Sequence, residues 1–233
     1  MDLTPLIQSA DTKILLVVMD GLGGYADADH GTELEEATTP NLDQLASAGA
    51  SGLFDPVGPG ITPGSGPGHL GLFGYDPTEF ELGRGALSAA GLEVVVAPGD
   101  VAARGNLCTL DKKGIITDRR AGRIADDQAQ AIVEKLQSGL HIEGIEILVR
   151  HEREHRCLVV LRGPGLDPRV GDTDPQKIGL APLKAVAQAP EAARTAEIIN
   201  NISEQVATQL KNEAPANGLL LRGFDTHREL PSM

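Results

Sequence analysis

One hydroxyl and one imidazole, Ser65 and His69, stand in the middle of the stretch Pro59-Gly-Ile-Thr-Pro-Gly-Ser-Gly-Pro-Gly-His69. Backbone this rich in Gly and Pro is unsuited to the interior of a helix or strand. It suits a loop that bends sharply and comes close to a ligand. Ser65 reads as a nucleophile that becomes phosphorylated, and a serine hydroxyl needs activation for that at neutral pH. The other face of such a site would begin at Asp20, which ends the apolar run Ile14–Met19 and precedes Gly21-Leu22-Gly23-Gly24. Open α/β sheets place ligands at the carboxyl ends of central strands. Asp is equally a turn former, so both readings of Asp20 stay open.

The cations gather rather than scatter. Arg84 lies between Gly83 and Gly85, Arg104 precedes Gly105, and Arg119, Arg120 and Arg123 fall within five residues. Guanidinium forks grip phosphate and carboxylate through paired hydrogen bonds, so these residues are candidates for an anion site. Solvated surface arginine is the competing reading for each. Asp172 and Asp174, two apart, would bind a cation, hold an arginine or, as such residues most often do, form Asx turns. His151 and His155 read as exposed hairpin residues, because a metal would require a third ligand. Cys108 and Cys157 have no zinc-like spacing and read as buried free thiols.

The elements that must position these groups follow from periodicity. Ile14–Met19 predicts a strand covered on both faces. Thr39-Pro40 predicts the start of a helix that Gly49 ends. Strands are expected at Leu92–Ala97, Arg104–Leu110 and Ile115–Thr117, and a helix over Asp126–Gln137 with Ala129, Ile132, Val133 and Leu136 on its apolar face. A hairpin of Ile145–Arg150 and Cys157–Arg162, a long helix from near Pro190 to Asn212, and a last strand at Gly218–Gly223 complete the pattern.

A chain of 233 residues with a formal charge of −13 argues against a broad nucleic-acid or anionic-membrane surface as its main function. It leaves a locally basic phosphate pocket open. Aromatic content of 3% with no Trp provides few platforms for stacked bases. The apolar run at 14–19 is far below the ~20 residues of a membrane span. No signal-peptide pattern opens the chain, so a cytoplasmic location with no membrane partner is expected. Composition places seams near 92 and 215: a first domain over 1–91, an inserted domain over 92–215, and a return from 216 to 233.

Read together and in order, several segments resemble one family. They are Met19-Asp20-Gly21-Leu22-Gly23, Thr39 to Ala46, Pro63-Gly64-Ser65 through His69-Leu70, Gly74-Tyr75-Asp76-Pro77, Gly83-Arg84-Gly85, Arg104-Gly105-Asn106 and Asp118-Arg119-Arg120-Ala121-Gly122-Arg123. The chain is similar over essentially its whole length to the cofactor-independent phosphoglycerate mutases of the archaeal type, in the alkaline phosphatase superfamily. The resemblance implies an α/β fold: a partial alkaline-phosphatase-like sheet domain with an inserted smaller α+β substrate-binding domain. It implies interconversion of 3- and 2-phosphoglycerate through phosphoserine at Ser65, with His69 orienting substrate or donating to it. Asp20 and Ser65 would share a divalent ion (Mn²⁺, Mg²⁺ or Zn²⁺), and no organic cofactor is expected. Arg84, Arg104, Asn106, Arg119, Arg120, Arg123 and Arg222 would hold a small phosphorylated hydroxy acid.

This sequence departs from the family in two ways. Gly66 follows the serine where the family usually carries Asp. The remaining Asp and His metal ligands would come from a carboxyl-terminal portion beyond residue 233, so the chain resembles the amino-terminal half to two-thirds of the enzyme. Its expected partner is that missing part or a second copy of the chain. A metal-dependent phosphomonoesterase and a non-catalytic module binding a phosphorylated hydroxy acid are the alternative readings.

Overall fold

The structure, a computed structural model, describes residues 6, 8, 10–19, 22–80, 82–227 and 229–231, with only the backbone at position 65. The chain divides into two units, 1–54 and 55–233.

In the first unit, helix α1 (Glu33–Glu36) is closed by a capping box between Thr32 and Glu35. Helix α2 (Pro40–Ala48) starts with Pro40 after Thr39 and ends at Gly49, as expected. Thr39 Oγ1 donates to Asp43 Oδ1 at 2.9 Å instead of capping the backbone. No described residue of this unit is buried. The run Ile14–Met19 is not a strand, and its side chains are exposed, from 97% at Ile14 to 50% at Met19. A strand covered on both faces needs paired neighbours, and the described residues of this unit form none.

In the second unit the Ser65 stretch corrects the expectation of a loop: Ser65–Leu72 is helix α3. Pro67 falls in its first turn, where no backbone donor is required, and Leu70 anchors it in the interior. Helix α4 (Arg84–Gly91) follows. The segment Leu92–Ala97 is not a strand either. Leu92 N–H donates to Ser88 O and Val94 N–H to Ala89 O, so its backbone is committed to ending α4.

A five-stranded antiparallel sheet comprises β1 (Val101–Leu110), β2 (Ile116–Asp118), β3 (Glu146–Arg153), β4 (Arg156–Arg162) and β5 (Gly218–Asp225). Strand β1 pairs with β4, β5 and, at its end, β2, while β3 borders β4. Helices α5 (Asp126–Gly139) and α6 (Ala193–Gln209) lie on one face, where Leu136, Ile199 and Ile202 pack against Leu107, Val159 and Leu221. Each such fully buried side chain is worth roughly 1.5–3 kcal/mol. Ala89 of α4 packs on the opposite face with Ala102, Leu158 and Val160. Helix α4 packs on the sheet that strand β5 completes beside β1.

Both cysteines are buried and free. Burial pushes each thiol up to about 12, with Asp174 and Asp118 adding to Cys108 and Glu152 to Cys157. His155 is 3% exposed, against the expectation of an exposed hairpin residue. The β3–β4 turn folds it inward, and Leu107 N–H donates to its carbonyl at 2.7 Å. His151 is half-buried, with Nε2 3.0 Å from Glu154 O. No helix among the described residues is long and apolar enough to cross a membrane.

Candidate anion-binding site

Alternation along β1 points Ala103 and Leu107 toward α5 and α6, and therefore Arg104 and Asn106 toward α4. Strand β5 alternates likewise, and its register sets Arg222 directly opposite Arg104. Helix α4 brings Arg84 to the same place, because its first turn lies on the backbones of both strands. A Cβ at Gly85 would stand 2.1 Å from Ala102 O, and one at Gly223 (φ +63°) would stand 2.7 Å from Arg84 N. Gly85 therefore exists for this close approach, in addition to any freedom it lends Arg84. Gly83 N–H donates to Asp225 Oδ2 at 2.6 Å, fixing the start of the helix.

Each central arginine is held by a carboxylate. Arg104 Nε donates to Ser88 Oγ at 2.7 Å, and its Nη2 lies 3.3 Å from Glu152 Oε1. Ser88 in turn donates to Glu152 Oε2 at 2.7 Å. Arg119, just past β2, grips Asp174 with two hydrogen bonds, Nε to Oδ1 at 2.9 Å and Nη2 to Oδ2 at 2.6 Å. Arg222 Nη1 lies 3.7 Å from the same Oδ2. Burial pulls Arg222 below its ordinary pKa, and the charges of Arg84, Arg119 and Arg104 act in the same direction while Asp174 opposes them. Burial likewise lowers Arg104, opposed by Glu152 and reinforced by Arg156 and Arg84. Burial works against the Asp174 carboxylate, but bonds from Arg119 and Gln176 and the charges of Arg119 and Arg222 hold it below its usual range. Asp172 moves upward, chiefly through burial, although it accepts from Gly223 N–H at 2.8 Å.

Among the described residues, two polar atoms here are buried without a hydrogen-bond partner, Arg222 Nε and Asn106 Oδ1. Unmet buried groups are costly and rare, and one donor with one acceptor beside clustered cations suits a hydroxylated anion. Nearby, a cavity of about 470 Å³ is lined by Thr62, Pro63 and Gly64, leading into α3, together with Gly83, Phe224 and Asp225.

The structure brings together Arg84, Arg104, Asn106, Arg119 and Arg222. Arg120 and Arg123 are exposed in the turn after β2, where their charges bear on His155. In that turn Asp118 accepts from the N–H groups of Arg120 and Gly122, and Asp174 takes Arg119. His69 is exposed on α3. Asp20 and the side chain of Ser65 lie outside the described residues. Ser88 and Glu152 escaped sequence reading, for nothing in their spacing marks them; Asp174 was legible only as one of several readings.

Fold and site define a mixed α/β chain with arginines clustered on one face of an antiparallel sheet. The family model described as 2,3-bisphosphoglycerate-independent phosphoglycerate mutase matches residues 46–217. A probable 2,3-bisphosphoglycerate-independent phosphoglycerate mutase of Thermus thermophilus is 51% identical, covering 100% of this chain and 59% of the relative. Its counterpart in Aquifex aeolicus is 44% identical over 99% of this chain and 59% of its own. Among solved structures, the cofactor-independent phosphoglycerate mutase from Thermoplasma acidophilum is 34% identical with a TM-score of 0.59, over 71% of this chain and 47% of that one. The chain belongs to the 2,3-bisphosphoglycerate-independent phosphoglycerate mutase family, and it spans about three-fifths of the length of these curated relatives.

No group of three or more His, Cys, Asp or Glu side chains among the described residues could hold a metal ion. The described residues do not fit a metal centre by themselves.

Proposed function

We propose that this chain carries the nucleophile helix and the anion-holding sheet of an enzyme interconverting 3-phosphoglycerate and 2-phosphoglycerate. The observation that carries the reading is the unpaired, buried Arg222 Nε and Asn106 Oδ1 within a family member's arginine cluster. Arg84, Arg104 and Arg222, with Asn106, hold the carboxylate and phosphate of the substrate, while Arg119, expected in the same role, is bound to Asp174. Ser65 Oγ bonds to phosphorus as the bond to the substrate's 3-oxygen breaks, and the serine proton ends on that oxygen. The 2-hydroxyl of the retained glycerate then attacks phosphorus, and its proton returns to Ser65. Exclusion of water during this interval separates a mutase from a phosphatase.

His69, on the same helix as Ser65, orients the substrate or donates to it. Arg120 and Arg123 extend the positive field toward the incoming anion. A divalent ion shared by Asp20 and Ser65 belongs to this reading, with its other ligands supplied from outside these residues. So does the division into a phosphatase-like domain and an inserted substrate domain, in a cytoplasmic enzyme partnered by the remaining portion or a second copy.

The test is to incubate the chain, combined with the portion that supplies the other metal ligands, with 3-phosphoglycerate labelled in its phosphoryl group, with and without Mn²⁺. Phosphoserine at Ser65 and label reappearing on the 2-oxygen are expected, both lost in Ser65→Ala. Free labelled phosphate would instead indicate a phosphomonoesterase. Metal-independent binding without phosphoserine would make the chain a binding module.

A further inference from the structure

We propose that Asp174 is a positioning residue of the anion site: it holds Arg119 and Arg222 so that Arg222 Nε–H, and not the fork of Arg119, remains to receive the anion. This inference deepens the anion-binding reading and rests on it.

The side chain of Asp174 is 0% exposed, whereas those of Arg119 and Arg222 are 24% and 17% exposed. A buried carboxylate demands full compensation, and here both oxygens have it. Oδ1 accepts from Arg119 Nε at 2.9 Å and from Gln176 N–H at 2.8 Å, and Oδ2 accepts from Arg119 Nη2 at 2.6 Å. The backbone that carries it is fixed as well. Thr173 N–H donates to Leu221 O at 2.8 Å, and Leu221 N–H donates back to Thr173 Oγ1 at 2.8 Å. Asp172 Oδ1 accepts from Gly223 N–H at 2.8 Å. Asp174 is therefore tied to the residues on either side of Arg222. Two donors of Arg119, Nε and Nη2, are spent within the protein. Arg222 approaches the same carboxylate through Nη1 and keeps a buried, unpaired Nε.

The first measurement uses the unaltered full chain and the arginine Nε–H signals in NMR. Arg119 Nε–H is expected to exchange with water at least ~100-fold more slowly than those of exposed Arg120 and Arg123. Adding 3-phosphoglycerate should shift the Arg222 Nε–H signal and leave that of Arg119 in place. Fast exchange at Arg119, or a ligand shift at Arg119 and not at Arg222, overturns the inference.

Asp174→Asn provides the second measurement. Labelling of Arg119 by a dicarbonyl reagent should rise ~10-fold, and affinity for 3-phosphoglycerate by calorimetry should fall ~10-fold. A purely local loss of packing would give the same affinity change in an Arg119→Ala background. Dependence on Arg119 should make the two losses clearly non-additive. Should the unaltered chain bind no 3-phosphoglycerate, the anion reading fails and takes with it the role of Asp174 in presenting Arg222 to the anion. The exchange rate and labelling of Arg119 then still decide whether Asp174 anchors it.

Discussion

Arg104 and Arg222 face each other directly across neighbouring antiparallel strands. Like charges so placed repel. Each is compensated separately, Arg104 by Glu152 and Arg222, at longer range, by Asp174. Compensation is incomplete at Arg222, whose Nε has no partner. That residual field is what an anion would relieve.

Arg222→Leu should therefore separate stability from binding. The leucine removes a half-buried charge that burial and three neighbouring arginines disfavour. Urea unfolding is expected to show a midpoint equal to or above that of the unaltered chain. Affinity for 3-phosphoglycerate should fall at least ~10-fold, following the loss of a charge-assisted bond. A large drop in midpoint would show that Arg222 is mainly a structural residue.

His155 predicts an acid-sensitive fold. Burial comes first among the causes that lower its pKa from 6.5 to about 4; Arg156, Arg120 and Arg123 add to it while Glu154 opposes. Below pH 6.5 the unfolded chain takes up a proton that the folded chain refuses until about pH 4, so stability falls as pH drops through that window. The loss should amount to a few kcal/mol, since each tenfold change in proton affinity corresponds to roughly 1.4 kcal/mol. Urea titrations at pH 7 and pH 4.5 should show a smaller difference for His155→Gln than for the unaltered chain. Equal differences would remove His155 from the account.

Asp174 contributes in a lower window. Its folded pKa lies below the ordinary carboxylate value of 3.8, so its stabilisation is fully present above that value and is lost as pH falls through the folded pKa. Asp174→Asn should flatten the stability curve below about pH 4 and leave its slope between pH 4.5 and 7 unchanged.

Gly85→Ala tests the close approach of α4 to the sheet. The added methyl would stand 2.1 Å from Ala102 O, so backbone must move. A loss of about 1–3 kcal/mol is expected from such overpacking, read from urea unfolding. An alanine variant as stable as the unaltered chain would mean that α4 is not seated as described.

The thiols give a simple control on the core. Cys108 and Cys157 are 0% exposed, with thiols raised to about 12 by burial. Neither should react with a thiol reagent in the folded chain over hours, and both should react at once in concentrated urea.

Sequence alone was enough for elements whose pattern closes locally. Helix α2 is bounded by Pro40 and Gly49, α5 is marked by the apolar face of Ala129, Ile132, Val133 and Leu136, β4 by the apolar run Cys157–Leu161 and β5 by the leucines at 219–221. The family motifs marked the arginines by order along the chain. What only tertiary structure decided depends on contacts between distant segments. Ile14–Met19 has a strand's composition but no strand to pair with among the described residues of its unit, and α3 forms despite its glycines with Leu70 buried and Gly71 seated closely against the backbone of Pro56. His155 has no sequence mark of burial, yet the β3–β4 turn folds it inward. Arg119 reads like Arg120 in the chain, but only Arg119 meets Asp174, which lies 55 residues away and is set by the pairing of Thr173 with β5. Whether a guanidinium stays open for a ligand is settled by which carboxylate reaches it, and spacing along one chain does not encode that.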